Sequence, residues 1–209
     1  MKAVRIPALL LTLVALVAAP AAAQSMALLG AKGGMNLANM SGTVDGASLD
    51  GENRTGGHGG VVVSYAFSRK FAIQGEALYV GKGMEPGANT QAAVDVNYVD
   101  FPVLAVLTFP IGDSFFAPRV FAGPVFSWRT TCNVTTPAST GVTDCELDVA
   151  KNLDFGVEFG ASLKLGKGYG GFTLDVAYNL GITNVSNSEG DTIRNRNLMF
   201  SLGYLFAIK

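Results

Sequence analysis

The chain contains one histidine, His58, set in Gly56-Gly57-His58-Gly59-Gly60. A histidine serves as a catalytic base only when a nucleophile or acid lies within reach. No His-x-Ser pairing adjoins His58, and there is no Gly-x-Ser-x-Gly nucleophile elbow. The plainer reading is a rim or lumen histidine whose glycine neighbours leave room for large side chains, so no catalytic residue is assigned and no enzyme is expected. Asp45, Asp50 and Glu52 could gather around a divalent cation, but they lack the spacing of a calcium loop. Gly166, Gly168 and Gly171 match Gly-x-Gly-x-x-Gly, yet dinucleotide binding needs a helix after the motif and a strand-like segment follows here. No metal and no cofactor is therefore expected. Cys132 and Cys145 are the only cysteines, with no Cys-x-x-Cys and no histidine nearby. A disulfide closing a short loop is expected ahead of a metal or redox site, worth roughly 3 kcal/mol in the chain-entropy model.

What remains is charge, and the charges lie on one face of alternating segments. From Asp154 to Leu165 the residues Phe155, Val157, Phe159, Ala161, Leu163 and Leu165 share one face, while Asp154, Gly156, Glu158, Gly160, Ser162 and Lys164 share the other. A period of two over this length predicts a strand able to span a membrane at a tilt. Seven more segments divide the same way, around 29–37, 58–67, 71–82, 98–109, 119–129, 172–182 and 198–208. On the polar faces Glu76, Asp100, Asp154, Glu158 and Asp175 are set against Lys32, Arg119, Arg129 and Lys164. Five acids against four bases would allow paired charges inside a ring of strands, where an unpaired charge is costly. An eight-stranded ring has an interior about filled by side chains, so the expectation is a polar plug, with a narrow ion path as the alternative.

Composition points to the same place. Charged residues make up 15% of the chain and glycines number 26. A soluble domain usually carries about 25% charge. The first residues read as an export signal: Lys2 and Arg5, an apolar run from Ile6 to Val17, a break at Pro20, then Ala21-Ala22-Ala23. Cleavage is expected after Ala23, giving a signal peptide over 1–23 and a barrel domain over 24–209; an uncleaved anchor is the rival reading. Removing two cations and no acid leaves 13 bases against 16 acids, and that balance predicts no nucleic-acid partner.

The connections alternate in length. Stretches 40–55, 84–93, 130–150 and 184–195 are long, while 68–70, 110–114 and 166–170 are short. Long loops on one side and tight turns on the other mark an outer-membrane barrel, with both termini on the turn side in the periplasm. Phe67, Phe71, Phe109, Phe116, Phe172, Tyr204 and Phe206 gather towards the turns, with Tyr79 and Trp128 towards the loops, as interfacial rings do. Pro102, Pro118 and Pro124 fall inside proposed strands and are expected to mark bulges or strand ends.

Several stretches resemble PorT-like outer-membrane β-barrel domains: GAKGGMNLANMSG from Gly30, FAIQGEALYVGKG from Phe71, VNYVDFPVLAVLTF from Val96, VFAGPVFSW from Val120 and the closing NLMFSLGYLF. The resemblance covers nearly the whole mature chain in matching order. It implies an all-β fold, an eight-stranded antiparallel up-and-down transmembrane barrel of the OmpX and OmpA type, and it carries no catalytic motif to transfer. Ser201, Gly203, Phe206 and Ile208 also fit the polar-x-Gly-x-x-hydrophobic-x-hydrophobic signal of barrel-assembly substrates, although Lys209 follows where many end on an aromatic. The partners this implies are outer-membrane lipid and the assembly machinery of a Gram-negative-type bacterium.

The function expected is thus a non-enzymatic barrel, structural or interacting through its extracellular loops, which hold no motif that identifies a ligand. A narrow solute or ion channel is the first alternative and a barrel enzyme acting on lipid the second. A soluble periplasmic barrel of lipocalin type is the structural rival.

Overall fold

Strands with a two-residue period must put one face inward, and which face goes inward distinguishes a soluble barrel from a membrane one. The computed structural model describes residues 25–44, 46–87, 93–135, 143–144, 151–186, 188 and 190–208. Its strands are β1 (Met26–Val44), β2 (Ala47–Asp50), β3 (Arg54–Ala66), β4 (Phe71–Met84), β5 (Ala93–Thr108), β6 (Phe116–Thr135), β7 (Thr143–Asp144), β8 (Leu153–Leu165), β9 (Gly171–Gly181) and β10 (Thr192–Ile208). All pair antiparallel, and among the described residues eight of them form a ring in the order β1-β3-β4-β5-β6-β8-β9-β10, closed by β10 against β1. β2 and β7 lie outside the ring, as short additions to β1 and β6. The proposed signal peptide over 1–23 lies outside the described residues, as do Asp45 and Cys145.

The register sets the size of the ring. From Met26 the paired residues run through Ala66, Ala72, Val106, Phe121, Gly160, Ala177 and Met199, and return to β1 at Asn36, ten residues further along than Met26. Eight strands at that stagger tilt by about 40° and enclose a backbone radius of roughly 8 Å. Side chains from all eight walls therefore meet near the axis.

The faces are inverted relative to a soluble protein. Val61, Val63, Phe101, Val103, Phe159, Leu174, Leu202 and Phe206 are exposed, whereas Lys32, Glu76, Lys82, Asp100, Glu158 and Asp175 are buried. Exposed apolar area this continuous needs an apolar solvent. Rings thicken the turn end of this band: Phe172 packs on Tyr204 and Tyr204 on Phe206, with centroids 4.7 and 4.6 Å apart. Among the described inward residues three apolar clusters alternate with the polar ones. Leu28, Val62, Ala66 and Leu205 form one, Leu104, Val106, Phe121, Ala177 and Met199 another, and Met40, Met84, Val96 and Tyr98 the third, towards the loops.

Two expectations change. The long connections are partly strand: β1 runs on to Val44 and folds back through Gly46, whose φ of 77° suits glycine, into β2. β6 likewise continues to Thr135 and pairs with β7. These extensions lack a clean apolar alternation because both of their faces leave the lipid. The prolines end no strand: Pro102 lies within β5, and Pro118 and Pro124 within β6. The register shift of the β5–β6 pair falls at Asn97/Tyr98 instead. Pro118 and Pro124 point outward and Pro102 inward, and the adjoining strands hold them extended, so each costs at most a ladder bond.

Val103 lies on the outward face. Val103→Arg is expected to cost about 2–4 kcal/mol if it sits at the bilayer midplane, and Val103→Ala much less. Reversible urea unfolding in lipid vesicles measures both.

Candidate functional site

The interior is built from residues of equal parity on neighbouring strands, and its contacts depend on which intervening residues lack a side chain. Lys32 on β1 stands in register with Gly60 on β3 and Gly203 on β10. With no side chain at Gly60, the Lys32 stem can cross β3 to β4, where its Nζ lies 2.6 Å from the Glu76 carboxylate. Gly60 cannot be larger: a Cβ there would run into the Ala77 carbonyl. Gln74 donates to Glu76 at 2.7 Å and accepts from Arg119 at 3.2 Å, giving a continuous path Arg119–Gln74–Glu76–Lys32. A second pair, Lys82–Asp100 at 2.8 Å, runs from β4 to β5, with Lys82 4.8 Å from the Tyr98 ring centre and 3.3 Å from the Ser127 hydroxyl.

Lys82 is the correction to the sequence tally. It shares the parity of Glu76, six positions on, and brings the buried bases among the described residues to five against five acids. Among the described residues the nine charges named from sequence make their direct contacts in separate groups. Lys32 and Glu76 pair directly, and Arg119 joins them through Gln74. Asp175 accepts from Ser162 and Thr173, Asp154 accepts from Asn195 at 2.8 Å, and Arg129 donates to Asn152 at 2.7 Å. Lys164 donates to the Gly168 carbonyl in the β8–β9 turn. Glu158 is 0% exposed, and neither of its carboxylate oxygens has a hydrogen-bond partner among the described residues. Amides bridge the walls as well: Asn36 donates to the Gly81 carbonyl at 2.7 Å and to Asn197 at 2.9 Å.

His58 acquires a partner that its sequence neighbours do not reveal. Gly34 on β1 stands in register with His58 on one side and Ser201 on the other. Across that bare glycine, His58 Nε2 and Ser201 Oγ lie 2.7 Å apart, both buried. His58 Nδ1 has no partner among the described residues, so the third group that would orient a catalytic imidazole is not engaged.

Gly203 is packed by Thr173 and Lys32, the nearest neighbours a Cβ there would meet. Phe206 and Ile208 point outward near the end of β10. Cys132 lies towards the loop end of β6, opposite Val96. At the loop end Arg54 binds Asp95 at 2.7 Å and Glu85 at 3.7 Å, and Glu52 bridges Glu85 through the backbone. This ties the first loop to the second.

The family described as outer membrane protein beta-barrel domain matches residues 22–187. The chain belongs to it. The match stops short of β10, the strand whose pairing with β1 closes the ring. Membership places this barrel in the outer membrane. No curated protein matches the chain. Among solved structures it is similar to the outer membrane protein OprG of Pseudomonas aeruginosa, with 12% identity over 89% of this chain and 99% of that one and a TM-score of 0.48. It is also similar to Ail, the attachment invasion locus protein of Yersinia pestis, with 17% identity over 86% and 98% and a TM-score of 0.43. A third, the outer membrane enzyme PagL, shows 17% identity over 83% and 99% with a TM-score of 0.38.

Lys32→Met should destabilise the outer membrane barrel by about 3–5 kcal/mol, since it leaves Glu76 buried and unpaired. Adding Glu76→Leu to that variant should recover most of the loss. Denaturant midpoints of the two singles and the double in micelles give the coupling directly.

Proposed function

We propose that this outer membrane barrel is plugged and non-enzymatic, and that it serves a structural or interaction role through its extracellular loops. The observation that carries the reading is the pair of buried ion pairs, Lys32–Glu76 and Lys82–Asp100, set among three apolar clusters inside a ring of roughly 8 Å radius. Opening a path would require separating charges in a low dielectric, which costs several kcal/mol per ion. The Arg54 collar and the β2 and β7 extensions give the loop end an ordered platform, which favours contact over flow.

Within its family the chain reads as PorT-like on the motifs quoted above. Export uses a signal cleaved after Ala23, a Cys132–Cys145 disulfide braces the third loop, and Ser201, Gly203, Phe206 and Ile208 present the last strand to the assembly machinery. Lipid covers the outer face, and no nucleic acid is a partner.

Conductance tests the plug. Refolded protein in planar bilayers should give no steady single-channel steps; reproducible steps would establish the channel reading in its place.

A second reading, a barrel enzyme, is favoured by one contact, the 2.7 Å approach of His58 to Ser201. Both residues are buried, and Nδ1 has nothing to orient it among the described residues, which supports a packing role for the pair. A fluorophosphonate probe should leave Ser201 unlabelled; labelling that disappears in Ser201→Ala would make the barrel an enzyme.

A further inference from the structure

The turn-end mouth of the ring holds a cavity of about 390 Å³. Among the described residues its lining includes four cations, Arg69, Arg119, Lys164 and Lys167, against one acid, Asp113. Among the described residues none of the four makes an ion pair with a carboxylate. Arg119 is the deepest. It is 7% exposed, gives one guanidinium N–H to Gln74, and its Nε has no hydrogen-bond partner among the described residues. Two lumen acids act on it at longer range than an ion pair: Asp175, which keeps its charge while accepting from the Ser162 hydroxyl, and Glu76, which is paired with Lys32. Lys164, also buried, gives one N–H to the Gly168 carbonyl and keeps donors to spare, and the charges nearest it, Arg119 and Arg69, are both positive.

Like charges gathered in a partly desolvated cavity are costly unless an anion joins them. A guanidinium fork with open donors suits the oxygens of phosphate or carboxylate, and lysines add point charge. The surplus of cations over acid matches a group carrying close to two negative charges and three acceptor oxygens better than a single carboxylate. The cavity is walled by the inner faces of the strands, among them Ser64, Ala72 and Val106. It opens to water at the turn end, while the lipid face of the barrel lies on the other side of those strands.

We propose that this vestibule binds a soluble phosphate or small phosphate ester. Arg119 and Lys164 hold the phosphate oxygens at the base, and Arg69 and Lys167 close over it from the β3–β4 and β8–β9 turns. The site goes beyond the interaction role argued for the loops, at the opposite end of the barrel.

The test is calorimetric titration of the refolded mature chain, in an uncharged maltoside detergent at constant ionic strength, with inorganic phosphate. A parallel titration uses dihexanoylphosphatidylglycerol. One saturable phosphate site is expected, lost in Arg119→Gln and weakened at least about tenfold in Arg69→Gln/Lys167→Gln. The turn residues lie outside the ring, so that double variant decides the matter even if Arg119→Gln fails to give a heat-modifiable folded band. Absence of a saturable phosphate site overturns the proposal, as does phosphate binding that both variants retain. Binding of phosphatidylglycerol without phosphate overturns it in favour of a lipid headgroup.

Discussion

The structure depends on backbone closure. In hydrocarbon an unpaired N–H or C=O costs several kcal/mol, so a sheet that enters lipid must have no free edge. β10 meets that demand by pairing with β1 from Ala27↔Ile208 to Thr43↔Thr192. Once the first and last strands must meet, strand number and stagger are no longer independent choices. They give a narrow ring, and its radius brings side chains from all eight walls close to the axis.

Narrowness then explains the glycines. Inward side chains of ordinary size on every strand would collide before reaching across the lumen. Gly60 and Gly203 flank Lys32, and Gly34 separates His58 from Ser201. Each glycine takes a side chain off the wall where a longer neighbour must cross. The high glycine count and the buried ion pairs are therefore two aspects of one packing solution.

The two ends of the barrel solve different problems. At the loop end the strands outrun the membrane, and Arg54 ties separate connections together through Asp95 and Glu85. At the turn end the chain reverses in a few residues, and Ser68 accepts the amide protons of Lys70 and Phe71 to hold one such reversal. The tight turns bring Arg69 and Lys167 to the rim above Arg119, so the charge of that mouth is a consequence of where the chain turns back.

The residues by themselves determined a good deal. The two-residue period is a local property of an extended chain, so parity alone told which residues share a face, how many strands cross, and that Glu76, Asp100, Glu158 and Arg119 point to the same side as Lys32. Lys82 was legible by the same parity, six residues beyond Glu76. The outer parts of β1 and β6 were less so, because beyond the lipid neither face needs to be apolar and the alternation lapses. Only the tertiary structure decided who meets whom inside. His58 and Ser201 lie 143 positions apart and touch because the stagger sets Gly34 between them. Lys32 finds Glu76 across Gly60 for the same reason. Parity is carried by each strand separately, whereas stagger is a property of the closed ring, and no single segment contains it.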